Sequence, residues 1–492
     1  MNSNGPESRY VAAIRGHRMR MKRDLGLASV MALVLMASAC SEGDSPLDID
    51  SDSDGVIDLI DAFPDDPSES LDNDTDGVGD NSDNCLGVAN TDQADIDEDG
   101  FGDACDFRVI SENLLSPRGI GCGADGSVLV ALAGAGPNLA ATGEALINSE
   151  SSYVGADGRV VQYGETGSVI SIAGDSSISV VMNNLPSVAV QSEQDPSVWT
   201  DATGPADVAL ADDGSLIVAI GLAGDACLSR PDLTAPDAVL LGTVIDDQRN
   251  IIADIADFEC SNNVDGRLAP SGTAPDHTSN PFRLLNNYPE AGSLAVLDAG
   301  MNALIGVDAT GERTTLVADF PNQEQEMPDL GLVDIIGVDQ TGIGLPPAGA
   351  VIPSQPVPSG ISKSPVGNTV LVSELTGLPF AIGSARIYDV TDSTAVVDQE
   401  GFTTIVDIAH DTSGDLFVLE YATNGLPGLL GFGPSNGRLT KQALGSEVRD
   451  FSDKVQLSTP TAVEVCGSNI YISDKGSVAG QGRILAGDLN AL

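Results

Sequence analysis

Residues 205–222 read "PADVALADDGSLIVAIGL". A proline opens a short apolar stretch, an Asp-Gly pair breaks it, and a second apolar stretch follows. Val, Ile and Leu on both sides of a turn dipeptide predict two antiparallel strands joined by a tight hairpin. Five further stretches keep the same order: "PRGIGCGADGSVLVALAG" (117–134), "PFRLLNNYPEAGSLAVLDAG" (281–300), "PSGISKSPVGNTVLVSEL" (358–375), "IVDIAHDTSGDLFVLEYA" (405–422) and "PTAVEVCGSNIYISDKG" (460–476). A third strand follows most of them, as in "GRVVQYG", "ALIGVDATG", "ARIYDVTD" and "GRILAGDL". A strand meander repeated six times predicts an all-β fold, a six-bladed β-propeller over residues 107–492. A β-sandwich would use similar strands but does not predict sixfold self-similarity. The repeats start at uneven intervals, so insertions lie between blades. "CLSRPDLTAPD" and "CSNNVDGRLAPSGTAPDH" are the clearest of these.

The bulk composition agrees. Aromatics are only 4% and Gly numbers 55 of 492 residues, which suits short strands and turns better than long helices. The chain carries 73 acids against 22 bases, a formal charge of −51. Such a chain is no generic nucleic-acid binder, because phosphates need Lys and Arg. The acid is concentrated: residues 41–106 hold 23 Asp or Glu and no Lys or Arg.

Within that segment three stretches share one template, "DSDSDGVIDLID" (50–61), "DNDTDGVGDNSD" (72–83) and "DIDEDGFGDACD" (95–106). Acids stand at positions 1, 3, 5, 9 and 12 and Gly at position 6. Calcium takes six to eight oxygens, and a 12-residue loop supplies them from those positions plus the backbone carbonyl at position 7. The expected Ca2+ ligands are Asp50, Asp52, Asp54, Val56, Asp58 and Asp61 in the first loop. The second offers Asp72, Asp74, Asp76, Val78, Asp80 and Asp83, and the third Asp95, Asp97, Asp99, Phe101, Asp103 and Asp106. Composition alone would read the run as a disordered acidic linker, but three copies at fixed spacing favour calcium. No amphipathic helices flank the loops, and position 12 is Asp rather than Glu, so these are not EF-hands. Residues 48–106 resemble thrombospondin type 3 repeats. "AFP" (62–64) fits that pattern, and "NCL" (84–86) keeps its Cys but lacks its Pro. The resemblance implies a chain wrapped on calcium ions, stapled by a Cys85–Cys105 disulfide.

Residues 1–40 read as an export leader. "RGHRMRMKRD" is basic, "LGLASVMALVLM" is an apolar run too short for a stable membrane span, and "ASAC" ends at Cys40. This resembles a bacterial lipoprotein signal, with Ala37 in place of the usual Leu; translation would then start at Met19 or Met21. The resemblance implies lipidation of Cys40 and a bacterial membrane as partner through the lipid anchor. With Ser41 next it implies the outer membrane, with a periplasmic or secreted protein as the alternative. Residues 41–47 would be a tether. Export allows disulfides between the other six Cys. Cys227 and Cys260 each open an insertion and are expected to pair. Cys122 and Cys466 fall in the first and last repeats, which meet if a propeller closes; the preferred reading is two buried strand thiols.

"GPADVAL" (204–210), "DIADFE" (254–259), "SNPF" (279–282), "SELTGLPF" (373–380) and "GFTTIVDIAHD" (401–411) resemble the ScyD/ScyE family of exported propeller proteins, over about Leu115 to Leu485. The family has no well-established activity, so the resemblance implies a fold more than a reaction. No G-x-S-x-G, H-E-x-x-H, C-x-x-C or phosphate loop is present. Beyond the leader the histidines are His277, read as solvated, and His410, read as a blade residue. Aligning the repeats brings out one constellation. Asp298, Glu374, Glu420 and Asp474 end second strands, and Asp207, Arg283 and Asp407 stand two after the repeat start. Equivalent propeller positions form rings, so these charges are expected to converge near the channel mouth as a site for a cation or polar ligand. The competing reading is that the acids bond backbone amides within blades. The function expected is a lipid-anchored, calcium-binding protein presenting a propeller to an unknown protein or small-molecule ligand, with no catalysis evident. The alternative is a propeller enzyme, a metal-dependent lactonase or hydrolase or, less favoured, a sugar dehydrogenase, using the carboxylates at the mouth.

Overall fold

The computed structural model describes residues 49–491 apart from 86–87, 96–101, 103, 138–151, 155–159, 192–198, 231–232, 234, 269–273, 312, 332–339, 430–435, 444–447 and 453. The leader, Cys40, Asp97, Asp99, Phe101 and Asp103 lie outside the described residues. The chain divides into two units, one ending at Leu71 and one beginning at Asp72.

Six blades account for most of the second unit, four of them four-stranded sheets, the first a six-stranded and the fifth a five-stranded sheet. The inner strands are Pro117–Cys122, Pro205–Leu210, Pro281–Asn286, Pro358–Lys363, Ile405–His410 and Ala462–Cys466. Each pairs antiparallel with the second strand of its repeat. Each inner strand also touches the inner strand of the next blade, and the sixth touches the first, so the ring closes. All six repeats read from the sequence are the two innermost strands of a blade.

The second strands explain why the repeat reads as a continuous apolar run rather than an alternation. In "VLVAL" (128–132) and "LIVAI" (216–220) every residue is buried. Each such strand lies between two neighbouring blades, so both of its faces are covered. Leu129 and Ala131 pack toward blade 2 with Val208 and Val218, while Val128, Val130 and Leu132 pack toward the closing blade with Ile484. The core is therefore six interblade layers. Burying one such Val or Leu contributes about 1.5–3 kcal/mol. The connecting turn is set by its Asp-Gly pair. Asp125 and Asp213 accept the N–H of Ser127 and Ser215, and Gly126 and Gly214 both sit at φ +84°, which favours glycine.

Closure uses a strand outside any repeat. Arg108–Leu114 pairs antiparallel with Gly482–Asp488 and forms the outer edge of blade 6. A disulfide fastens the same junction: Cys122 of blade 1 bonds Cys466 of blade 6, 344 residues away. This corrects the expectation of two free thiols. Cys85–Cys105 and Cys227–Cys260 are also bonded. The insertion carrying Cys260 holds a helix, Ile255–Asn262, N-capped by Asp254, whose carboxylate accepts the Asp257 N–H. Among the described residues no helix is long and apolar enough to cross a membrane.

The acidic loops and the propeller channel as candidate functional sites

In the loops that start at Asp50 and Asp72 the carboxylates are organised by backbone N–H groups. Ser53 and Gly55 donate to the two oxygens of Asp50, at 2.7 and 3.1 Å. Thr75 and Gly77 donate to Asp72 at 2.7 and 3.1 Å. Asp52 accepts from Asp54 N–H and Asp54 from Val56 N–H; Asp74 and Asp76 repeat this with Asp76 and Val78. Gly55 and Gly77, at φ +100° and +93°, make the turn that folds the acids inward. As a result Asp50, Asp52 and Asp54 each place an oxygen within 4.8 Å of the others, as do Asp72, Asp74 and Asp76.

These trios fit a hard cation on a second count. The Oδ2 atoms of Asp52, Asp74 and Asp61 are buried and have no hydrogen-bond partner. Burial, supplemented by the acids around them, pushes the Asp52 and Asp74 carboxyls above the usual range. Asp61 and Asp83, at position 12, are among those neighbours. Oxygens that are buried, unpartnered and mutually repelling are what a divalent ion would satisfy. Asp58 and Asp80 stand apart from the trios. Asp58 spends both oxygens on Ser51, on its N–H and its hydroxyl, each at 2.8 Å. Asp80 spends both on Asn73, at 2.9 and 2.8 Å. Position 9 thus closes the loop onto position 2. Asp83 is also engaged, accepting from Cys85 N–H and Gln93 Nε2. Asp95 is half-buried, and Asp106 is buried beside the Phe107 N–H that bonds its Oδ1.

In the propeller the seven singled-out charges separate into two groups rather than converging at one mouth. Asp207, Arg283 and Asp407 meet in the channel. A β-bulge follows the first residue of the inner strand in blades 2, 3 and 5 and turns the third residue inward. Arg283 Nη2 lies 3.1 Å from Asp407 Oδ2 and donates to Thr461 O at 2.6 Å, and Nη1 donates to Phe282 O at 3.0 Å. Asp207 accepts Leu284 N–H at 2.8 Å, and Asp407 accepts Val463 N–H at 3.1 Å. One buried guanidinium therefore ties blades 3, 5 and 6. The glycines at equivalent ring positions make room for this. A Cβ on Gly119 would sit 2.0 Å from Asp207 Oδ1, and one on Gly360 would sit 2.7 Å from Ile408 N and 2.8 Å from Asp407 Cα.

Sequence reading missed one member of the group. Glu464, two residues after the ring position Ala462, faces Asp207 and Asp407 electrostatically. The alternation of the inner strand was the signal that puts it on the same face as the ring. Burial first, then those two acids, push its carboxyl up to about 8; burial pushes Asp207 up to about 7 against the pull of Arg283. Burial also raises Asp407, again opposed by Arg283. Among the described contacts Glu464 is the channel acid with no bond to another blade.

The other four acids turn into their own blades. Asp298 accepts the N–H groups of Asn280, Gly300 and Met301 at 2.7, 2.9 and 2.9 Å and the Ser279 hydroxyl at 2.7 Å. Glu374 accepts from Tyr388 Oη at 2.8 Å and from Gln323 Nε2. Glu420 accepts Thr403 N–H at 2.6 Å and Arg438 Nε at 2.5 Å. Asp474 accepts Ser458 N–H at 2.8 Å and Arg483 Nε at 2.9 Å. In blades 3, 5 and 6 the carboxylate clamps the segment that leads into the inner strand. In blades 5 and 6 it also pairs with an Arg directly opposite on the third strand. Asp298, Glu420 and Asp474 thus accept backbone amides of their own blades, as the competing reading has it, while Glu374 is held by a tyrosine hydroxyl and a glutamine side chain.

His410 is a blade residue as expected: its Nδ1 lies 2.9 Å from Ser362 Oγ, which also accepts the His410 N–H. His277 is not solvated; it is half-buried with Nδ1 enclosed.

No family model matches the chain, and no curated protein matches it. Many solved structures match part of it. Virginiamycin B lyase from Staphylococcus aureus is 12% identical, with a TM-score of 0.34, covering 77% of this chain and 99% of that one. A putative gluconolactonase is 10% identical, with a TM-score of 0.33 over 77% and 91%. A calcium-binding regucalcin from Agrobacterium tumefaciens is 10% identical, with a TM-score of 0.35 over 77% and 92%. Likenesses this distant say nothing about activity, and the six blades rest on the strand pairing itself.

Proposed function

We propose that this protein is an exported, lipid-anchored calcium-binding protein in which an acidic segment takes up Ca2+ and carries a β-propeller that binds a ligand. The observation that supports it most is the repetition of one arrangement in the first two loops: three carboxylates within 4.8 Å and buried oxygens without a partner. Asp50, Asp52, Asp54 and Asp61 would hold one ion, and Asp72, Asp74 and Asp76 another. Bound calcium supplies positive charge to a segment that has none of its own. The residues' own part is to present the oxygens: amide N–H groups fix Asp50 and Asp72, and Asp58 and Asp80 hold each loop shut. The leader pattern ending at Cys40 supports anchoring in the cell envelope.

The test is isothermal calcium titration of the full chain with limited proteolysis in calcium and in EGTA. The reading expects calcium uptake and protection of residues 48–106 from cleavage. An unchanged digest, or no heat of binding, contradicts it.

A further inference from the structure

Of the described arginines that are not exposed, all but one have a carboxylate within 4.0 Å. Arg230, Arg249, Arg267, Arg283, Arg386, Arg438 and Arg483 pair with Asp254, Asp237, Asp265, Asp407, Glu400, Glu420 and Asp474. Arg118 is the exception among the described residues. In a chain with 73 acids and 22 bases, an inward-lying guanidinium without a counter-ion needs an explanation. Its one bond is from Nη2 to the Ala202 carbonyl at 2.8 Å, which leaves most of its five donors without a protein acceptor. Burial acts most strongly on it, Tyr421 and Asp201 favour its charge, and Arg283 repels it. Asp201 acts on Arg118 electrostatically; it is exposed and lines the same cavity, and no ion pair of Arg118 with it is seen among the described residues.

Arg118 lines a cavity of about 320 Å³ beside the start of the inner strands. Val188, Leu222 and Phe282 give that cavity apolar walls. Asn280 lines it too, and its Oδ1 is buried with no donor. An unpaired cation, an unpaired acceptor and apolar walls in one small cavity specify a ligand chemistry.

We infer that this cavity binds a small organic anion, its carboxylate on Arg118, its apolar body between Val188, Leu222 and Phe282, and a hydroxyl or N–H donor on Asn280. Guanidinium suits carboxylate because its paired N–H groups match two oxygens. Burial lowers the Arg118 pKa, an effect an incoming anion would offset. This inference is independent of the calcium reading and adds a site that neither the ring acids nor the loops supply.

The test uses 4-hydroxybenzoate and its neutral counterpart 4-hydroxybenzamide as probes, titrated into the full chain in calcium and again after calcium is dialysed away. Binding that survives dialysis separates this cavity from the loops. The acid should bind about tenfold or more tighter than the amide, as expected for a charge-assisted pair. Arg118→Met should abolish that preference. Because it removes an unpaired cation, it should leave the melting temperature unchanged or higher, showing that the variant folds. Asn280→Ala should weaken both probes. Equal binding of acid and amide, an unchanged preference in Arg118→Met, or no binding of 4-hydroxybenzoate at about 10 mM overturns the inference.

Discussion

The acids of the first two loops and the acids of the blades are the same residue type in opposite situations. A blade acid finds its partners inside the protein: Asp298 accepts four hydrogen bonds, and Glu420 and Asp474 each take a backbone N–H and an Arg. The loop acids crowd three together and leave Asp52, Asp61 and Asp74 with buried oxygens that have no hydrogen-bond partner among the described residues. The difference comes from spacing. Blade acids recur once per repeat, so each meets the amides of its own blade. Loop acids recur every second residue around one glycine, so they meet one another. Carboxylates of the first kind hold the fold, and those of the second kind fit an ion from outside.

The largest effect that would break this comparison lies in the channel. Arg283→Ala leaves Asp207, Asp407 and Glu464 without a positive partner and should cost about 3–5 kcal/mol in chemical denaturation. A loss below about 1 kcal/mol would mean that the guanidinium is not what holds the acids. Removing the closing disulfide by Cys122→Ser with Cys466→Ser should cost about 2–4 kcal/mol, read the same way. Asp298→Asn should cost about 1–3 kcal/mol, because buried amide N–H groups lose their acceptor. The matching Asp52→Asn change in a loop should leave stability in EGTA unchanged or raised, since it removes a repelling charge. Destabilisation by Asp52→Asn in EGTA would erase the contrast.

The pH response is the subtlest effect. Folding raises the Glu464 and Asp207 carboxyls to about 8 and about 7, from ordinary values of 4.5 and 3.8. The folded state therefore binds more protons between those limits, and stability falls as pH rises through that window and levels off above pH 8. Melting curves of Glu464→Gln should show a shallower fall between pH 5 and 8 than the wild-type chain does. Parallel curves would remove Glu464 from the channel group.

Much of this was legible in the sequence, and what was not had physical reasons. The two innermost strands of every blade announce themselves because the second strand is buried on both faces and so reads as "VLVAL" or "LFVLE". The closing strand "RVISENL" is only partly buried and belongs to no repeat, so it gave no signal. The ring positions were readable from the alignment, but the direction of each side chain was not. The third residue of an inner strand turns into the channel at a bulge, whereas the last residue of a second strand turns into its own blade. The loop template carried its own geometry in the Gly at position 6, yet it did not reveal that position 9 would be spent on position 2. Arg118 could not be singled out at all, because what marks it is the lack of an acid paired with it in space.

The most direct test of the two kinds of carboxylate is calcium binding to the full chain, compared between Asp52→Asn with Asp74→Asn and Asp298→Asn with Asp474→Asn. The account predicts that the loop pair loses calcium uptake while the blade pair keeps it at wild-type stoichiometry. Equal uptake by both pairs, or loss in the blade pair alone, would contradict it.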